Sequence, residues 1–258
     1  MNKLYRGFVV LGFFWSAAAL ADTPPPLPGT KPAPMTASQA AAAKAANDEA
    51  QAENVWIMKA SMAEGTQDWA GAEAALKQLI TMNPARWDFS QSLGNDQFNE
   101  GKYADAVKSY DTAIQGASQD KKDPAAAQKA IAAMYTNQGN AYLKLNNKAA
   151  ATDAFSKSAA TGGDSGGSAL SFYNLCATAY NAGKTREALA DCDKAIAIDP
   201  TMADAYFVKG TILVNEGETD AKGNFNVPPG TWEALKTYLK LEPHGKHAAE
   251  AKSMLQLE

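Results

Sequence analysis

One spacing governs what this chain can fold into. Gly94 precedes Ala106 by 12 residues, Gly139 precedes Ala151 by 12, and Cys176 precedes Ala188 by 12, with Ala60 and Ala72 repeating the offset. Each pair sits on two runs of helix formers separated by a short polar turn. A bulky aromatic lies 16 residues before the same alanine three times, as Trp56, Tyr135 and Phe172. Ala72 to Ala106 and Cys176 to Gly210 are both 34. Antiparallel helices approach closely only where small residues meet at their crossing and large ones fill the flanks. Gly, Ala or Cys on a first helix is therefore expected to face Ala on the second. Four residues after that alanine comes the filler: Leu76, Tyr110, Phe155, Cys192 and Tyr238. Asn83-Pro84, Asp199-Pro200 and Glu242-Pro243 end second helices, because a residue before proline resists the α conformation. The reading is all-α: helix hairpins in series.

These residues resemble the tetratricopeptide repeat (TPR) family, whose unit is a helix hairpin of about 34 residues. Phe172, Leu175, Cys176, Tyr180, Gly183, Ala188, Ala195 and Pro200 follow the family pattern most fully. Leu93, Gly94, Tyr103, Ala106, Tyr110 and Ala113 form a second unit, and Tyr135, Gly139, Tyr142, Ala151 and Phe155 a third. The likeness runs over about residues 53–243 and implies a solenoid of about five hairpins, of the kind found in exported bacterial proteins. Lys59-Ala60 departs from the usual Leu-Gly, and the first helix reaches back to Ala37 as a capping element would. From Ala106 to Ala151 the spacing widens to 45, placing extra turns around residues 117–127. The glycines of Thr161–Ser168 predict a flexible loop, and twelve additional residues around Gly217–Gly230 predict a protruding turn. Ala248, Ala251, Met254 and Leu255 predict a C-terminal capping helix.

Ahead of the repeats, Lys3 and Arg6 precede fifteen uncharged residues from Gly7 to Ala21, a run too short for a membrane span of about 20. With Ala19-Leu20-Ala21 it reads as a secretory signal, residues 1–21, cleaved between Ala21 and Asp22; an uncleaved anchor is the alternative. Residues 22–36 hold six of the twelve prolines and read as an extended tether, and residues 37–258 as the repeat domain. The mature chain would carry 22 basic against 28 acidic side chains, which argues against nucleic acid as a partner. The expected location is outside the cytoplasm, in the bacterial periplasm.

Chemistry is sparse. No phosphate loop, serine-nucleophile motif or HExxH pattern occurs, so no catalytic residue, cofactor or enzyme activity is expected. His244 and His247, three apart, lack the further ligands a metal needs. Cys176 and Cys192 sit where export permits a disulfide. If Cys176 faces Ala188, however, the two cysteines are offset by a helical turn, which carries their Cα atoms towards the limit of about 7 Å and favours two buried thiols.

What remains is a binding surface. The resemblance implies a groove on the inner face of the first helices, here Asn95, Phe98, Asn137, Asn140, Tyr173, Asn174, Tyr180 and Asn181. Family members that grip a terminal carboxylate use a basic clamp with two asparagines. Asn95 and Asn137 match those asparagines, but Gln91, Leu170 and Asn174 stand where the cations would be. A neutral row of amides beside aromatic rings suits the backbone of an extended, uncharged or mildly basic peptide or protein segment. Alternatively, Asn137 and Asn174 tie neighbouring hairpins together. A different role, as an assembly component of the cell envelope acting through its outer faces and tether, is the other function the sequence allows.

Overall fold

The computed structural model describes residues 35–162 and 166–257, and the chain divides after Asp48 into two units. The expected signal and residues 22–34 of the tether lie outside the described residues. In the first unit, the backbone N–H of Gln39 donates to Thr36 Oγ1 (3.2 Å) and the N–H of Thr36 to Gln39 Oε1 (2.9 Å), a reciprocal cap that starts helix α1 (Ala37–Gly65). Every described residue up to Asp48 is exposed.

The second unit holds five consecutive hairpins. They pair the rest of α1 with α2 (Trp69–Met82), α3 (Trp87–Glu100) with α4 (Tyr103–Ala117), and α5 (Pro124–Lys144) with α6 (Lys148–Gly162). Then α7 (Gly166–Asn181) pairs with α8 (Thr185–Ile198), and α9 (Ala203–Asn215) with α10 (Thr231–Leu241). Helix α11 (Ala248–Met254) and a 3-10 turn (Leu255–Leu257) close the last hairpin, as expected, burying Ala251 against Phe207, Leu235 and Tyr238. Local chemistry sets the ends. Asp68 and Asp123 accept the N–H groups of Gly71 (3.0 Å) and Ala126 (2.9 Å) at the starts of α2 and α5. Gly101, in the left-handed region at φ 87°, ends α3 and turns the chain directly into α4.

Core residues gather at the joints. Phe89 and Leu93 of α3 join Ala60, Leu76 and Leu79 of the first hairpin, and Ile212 of α9 joins Cys176, Ala188 and Cys192. Each hairpin thus buries its apolar face on its neighbour, the rule for solenoids. Polar groups pin one joint as well: the hydroxyls of Thr136 (α5), Ser158 (α6) and Ser171 (α7) form a closed, buried ring with contacts of 2.8 to 3.0 Å.

Three expectations need correction. In the second and third hairpins the small residue of the first helix lies nearest the filler sixteen on: a methyl at Gly94 would lie 2.6 Å from Tyr110 Cε1, and one at Gly139 would strike the Phe155 ring, whereas Gly210 of the fifth meets Leu235. The same register brings Cys176 opposite Cys192, and the two are joined in a disulfide with Cα atoms 5.1 Å apart. The expectation of two thiols failed because it assumed the twelve-residue pairing. Of the expected loop Thr161–Ser168, helix takes both flanks, α6 running to Gly162 and α7 beginning at Gly166, and residues 163–165 lie outside the described residues. The twelve additional residues after α9 do form an exposed turn, closed by a small antiparallel ladder, β1 (Glu218–Thr219) with β2 (Phe225–Asn226). Its turn is held by Asp220, whose Oδ1 accepts the N–H groups of Lys222 (2.8 Å) and Asn224 (2.9 Å). The widened spacing between the second and third hairpins is absorbed by the connection 118–123 and by the 21-residue length of α5.

Candidate functional site: an amide-lined hollow

Asn95, Phe98 and Asn99 fall on one face of α3 by helical spacing, and Asn137 and Asn140 do so on α5. With Tyr110 of α4 they line a hollow of about 320 Å³. The crossing glycine shapes it. Because Gly94 has no side chain, the Tyr110 ring lies against α3 and its hydroxyl donates to Asn95 Oδ1 (2.8 Å). The same oxygen accepts Asn137 Nδ2 (3.2 Å), so a hydrogen-bonded bridge joins the second hairpin to the third. Asn137 therefore does tie hairpins together, and it also lines the hollow.

The bridge leaves specific groups uncommitted. With its oxygen occupied, Asn95 still has both amide hydrogens, and Asn137 still has its carbonyl oxygen. Among the described residues, the side chains of Asn99 and Asn140 have no hydrogen-bond partner. The hollow thus offers donors and acceptors together beside two aromatic rings. It has no formal charge: of the six lining residues only Tyr110 can ionise, and burial pushes its phenol far above the ordinary range. Such a set has the hydrogen-bonding groups to pair with an amide.

The other expected groove residues lie elsewhere. Tyr173 lines a second hollow, of about 410 Å³, with Leu170, Met202 and Tyr238 at the joint of the last two hairpins. Its polar edge carries the ion pair between Lys246 Nζ and Asp204 Oδ2 (3.0 Å), and burial, then the Asp204 charge, pushes the Tyr173 phenol up. The Tyr180 hydroxyl accepts from Asn215 Nδ2 (3.2 Å). Asn174 is half-buried, Asn181 is exposed, and neither lines either hollow. The row expected from sequence is thus split, with Asn95, Phe98, Asn137 and Asn140 gathered and the other four apart. Asn99 and Tyr110 join the lining without having been expected there. Asn99 could have been found, being four residues after Asn95 on the same face, whereas the spacing marks Tyr110 only as a packing filler.

Among curated proteins no sequence matches the chain. The tetratricopeptide repeat is recognised over residues 132–160, which is most of the third hairpin. Solved structures match far more of it. MamA is 20% identical, with 76% of this chain and 94% of MamA covered at a TM-score of 0.55. YrrB, described as a TPR protein with an unusual peptide-binding site, is 15% identical over 77% of this chain and 90% of its own, at 0.54. Pseudomonas aeruginosa PilF is 13% identical over 81% and 84%, at 0.59. At these identities the likeness speaks for the fold alone. The third hairpin is thus recognised as a tetratricopeptide repeat, the second shares its crossing geometry, and most of the chain has the fold of solved TPR proteins.

Proposed function

We propose that the chain is an exported interaction module whose amide-lined hollow holds the backbone of an extended peptide or protein segment. The observation that carries this reading is the free hydrogen-bonding set of Asn95, Asn99, Asn137 and Asn140 beside Phe98, in a hollow with no charged residue. A fold neighbour, YrrB, is described as peptide-binding. Export is supported by the composition of residues 1–21 and by the Cys176–Cys192 bond, a linkage that persists in oxidising compartments. Among the described residues no helix is long and apolar enough to cross a membrane.

The test begins with a photoreactive side chain at Asn140 and, for comparison, at exposed Thr112 on α4. The partner should crosslink from position 140. Capture only from 112 would overturn the groove reading in favour of an assembly component working through its outer faces. With the partner identified, Asn99→Ala with Asn140→Ala should weaken binding by about 2 kcal/mol in calorimetry, with little dependence on salt. Neither side chain supports the fold through a hydrogen bond among the described residues, so an unchanged affinity would count directly against the assignment.

A further inference from the structure

Two residues after its small crossing residue, each of the later first helices buries an uncharged side chain: Ala141 in α5, Thr178 in α7 and Ile212 in α9. Ile212 packs there against the preceding hairpin. In α3 the same place is held by a carboxylate. Asp96 is 4% exposed and its Oδ2 has no hydrogen-bond partner. The charged groups that face it are acids of the preceding hairpin, Glu64 of α1 and Glu73 of α2, with the Tyr110 phenol of α4 behind. The nearby cations are already engaged. Lys77 Nζ (2.7 Å) and Lys102 Nζ (2.9 Å) are both bound to Glu73, which Gln97 Nε2 (3.4 Å) also contacts, and Lys102 is shared with Glu100 (2.9 Å).

In that position Oδ2 of an ionised carboxylate has neither a hydrogen-bond donor nor a counter-charge, an arrangement that proteins avoid by neutralising the group. Among the described residues no three acids, histidines or cysteines are placed to hold a metal ion, so the neutralising species is a proton. We propose that Asp96 is a proton-operated latch between the first two hairpins: protonated, it lets α2 and α1 from Glu49 onward close on α3, and ionised, it drives that joint to open locally. This goes beyond the peptide-binding reading and does not depend on it.

The direction follows from the surroundings. Burial first, then Glu64 and Glu73, push Asp96 up from 3.8 to about 7, and burial raises Glu64 as well. Closure is therefore fully supported below the ordinary aspartate value, erodes as pH rises towards 7, and changes little above it. Glu73 acts oppositely, because hydrogen bonds from Lys77 and Lys102 lower it to about 2, and its effect is confined to acid below its ordinary value of 4.5. Between pH 5 and pH 8 the opening equilibrium of the first joint should rise on the order of a hundredfold.

Native-state hydrogen exchange reads this directly, as protection factors corrected for the intrinsic pH dependence of exchange. Amides of α2 should lose protection on the order of a hundredfold from pH 5 to pH 8, while α5 to α8 change little. Asp96→Asn should abolish most of the slope, and if that variant does not fold, Asp96→Thr, which copies the side chain that α7 carries at Thr178, permits the same measurement. Flat protection in α2, an equal loss across all helices, or an unchanged slope in the variant would each overturn the latch. Restoration of α2 at pH 8 by calcium alone would overturn it too, by assigning the joint to a cation.

Discussion

At the scale of single residues, the crossing glycines do the most for both fold and site. Gly139 is helical and lies under the Phe155 ring with no room for a methyl group. Two effects of a Gly139→Ala change oppose each other. Alanine gains about 1 kcal/mol of helix propensity over glycine, but forcing a methyl into packed core costs about 1 to 3 kcal/mol. Phe155 is fully buried and cannot swing outward, so the packing cost should win. The expected outcome is a lower urea midpoint with an unchanged slope; a raised midpoint would mean that the ring moves freely. Gly94→Ala carries the same conflict with Tyr110 and adds a second consequence. It would push the phenol off Asn95 and reshape the hollow that Tyr110 lines, leaving the direct Asn137–Asn95 bond in place, so it should weaken partner binding more than it weakens the fold. Comparing calorimetric affinity with the urea midpoint in that variant separates the two losses.

At the scale of elements, each hairpin solves one crossing problem with different residues. The second and third hairpins place glycine under an aromatic ring, and the fourth places two cysteines at the same sixteen-residue separation. There the covalent bond takes the position that ring packing holds elsewhere. Closing a loop of that length stabilises by about 3 kcal/mol in the chain-entropy model. Reduced protein should therefore unfold at lower urea by an amount equivalent to about 3 kcal/mol, and because both residues are fully buried, a thiol reductant should act slowly until urea opens the hairpin. Equal midpoints before and after reduction would remove the disulfide from the account of stability. This element also shows how far sequence reading reaches. The helices, their number and the terminal cap were legible, because a period of 34 with small residues in step leaves few alternatives. The partner of each small residue was not, because sequence spacing does not reveal how two helices slide along each other. That slide decided between thiols and disulfide, and it brought Tyr110 into the hollow beside Asn95. Asp96 escaped for a different reason: its neighbours on α3 are polar too, and only alignment with Ala141, Thr178 and Ile212 makes a buried acid stand out.

At the scale of the whole stack from Glu49 onward, stability passes between neighbours, since the core clusters form at successive joints. A lesion at one end should then be felt in the nearest hairpin and fade along the stack. The C-terminal end tests this well. Helix α11 covers Phe207, Leu235 and Tyr238; the His247 ring stacks on Phe207 with centroids 4.0 Å apart, and the His247 N–H donates to the Tyr238 hydroxyl (2.9 Å). Ending the chain at Glu242 would remove all of these covers at once and expose aromatic surface that only the cap protects. Hydrogen exchange should show α9 and α10 losing most of their protection, with α7 and α8 partly affected through Ile212 and α3 to α5 unchanged. The amide-lined hollow belongs to α3, α4 and α5, so the truncated chain should bind the partner of the full chain with little loss. Cooperative unfolding of every hairpin on truncation would instead show that the stack behaves as one unit. Lost binding with α3 to α5 still protected would place an essential contact at the second hollow, around Tyr173 and the Lys246–Asp204 pair.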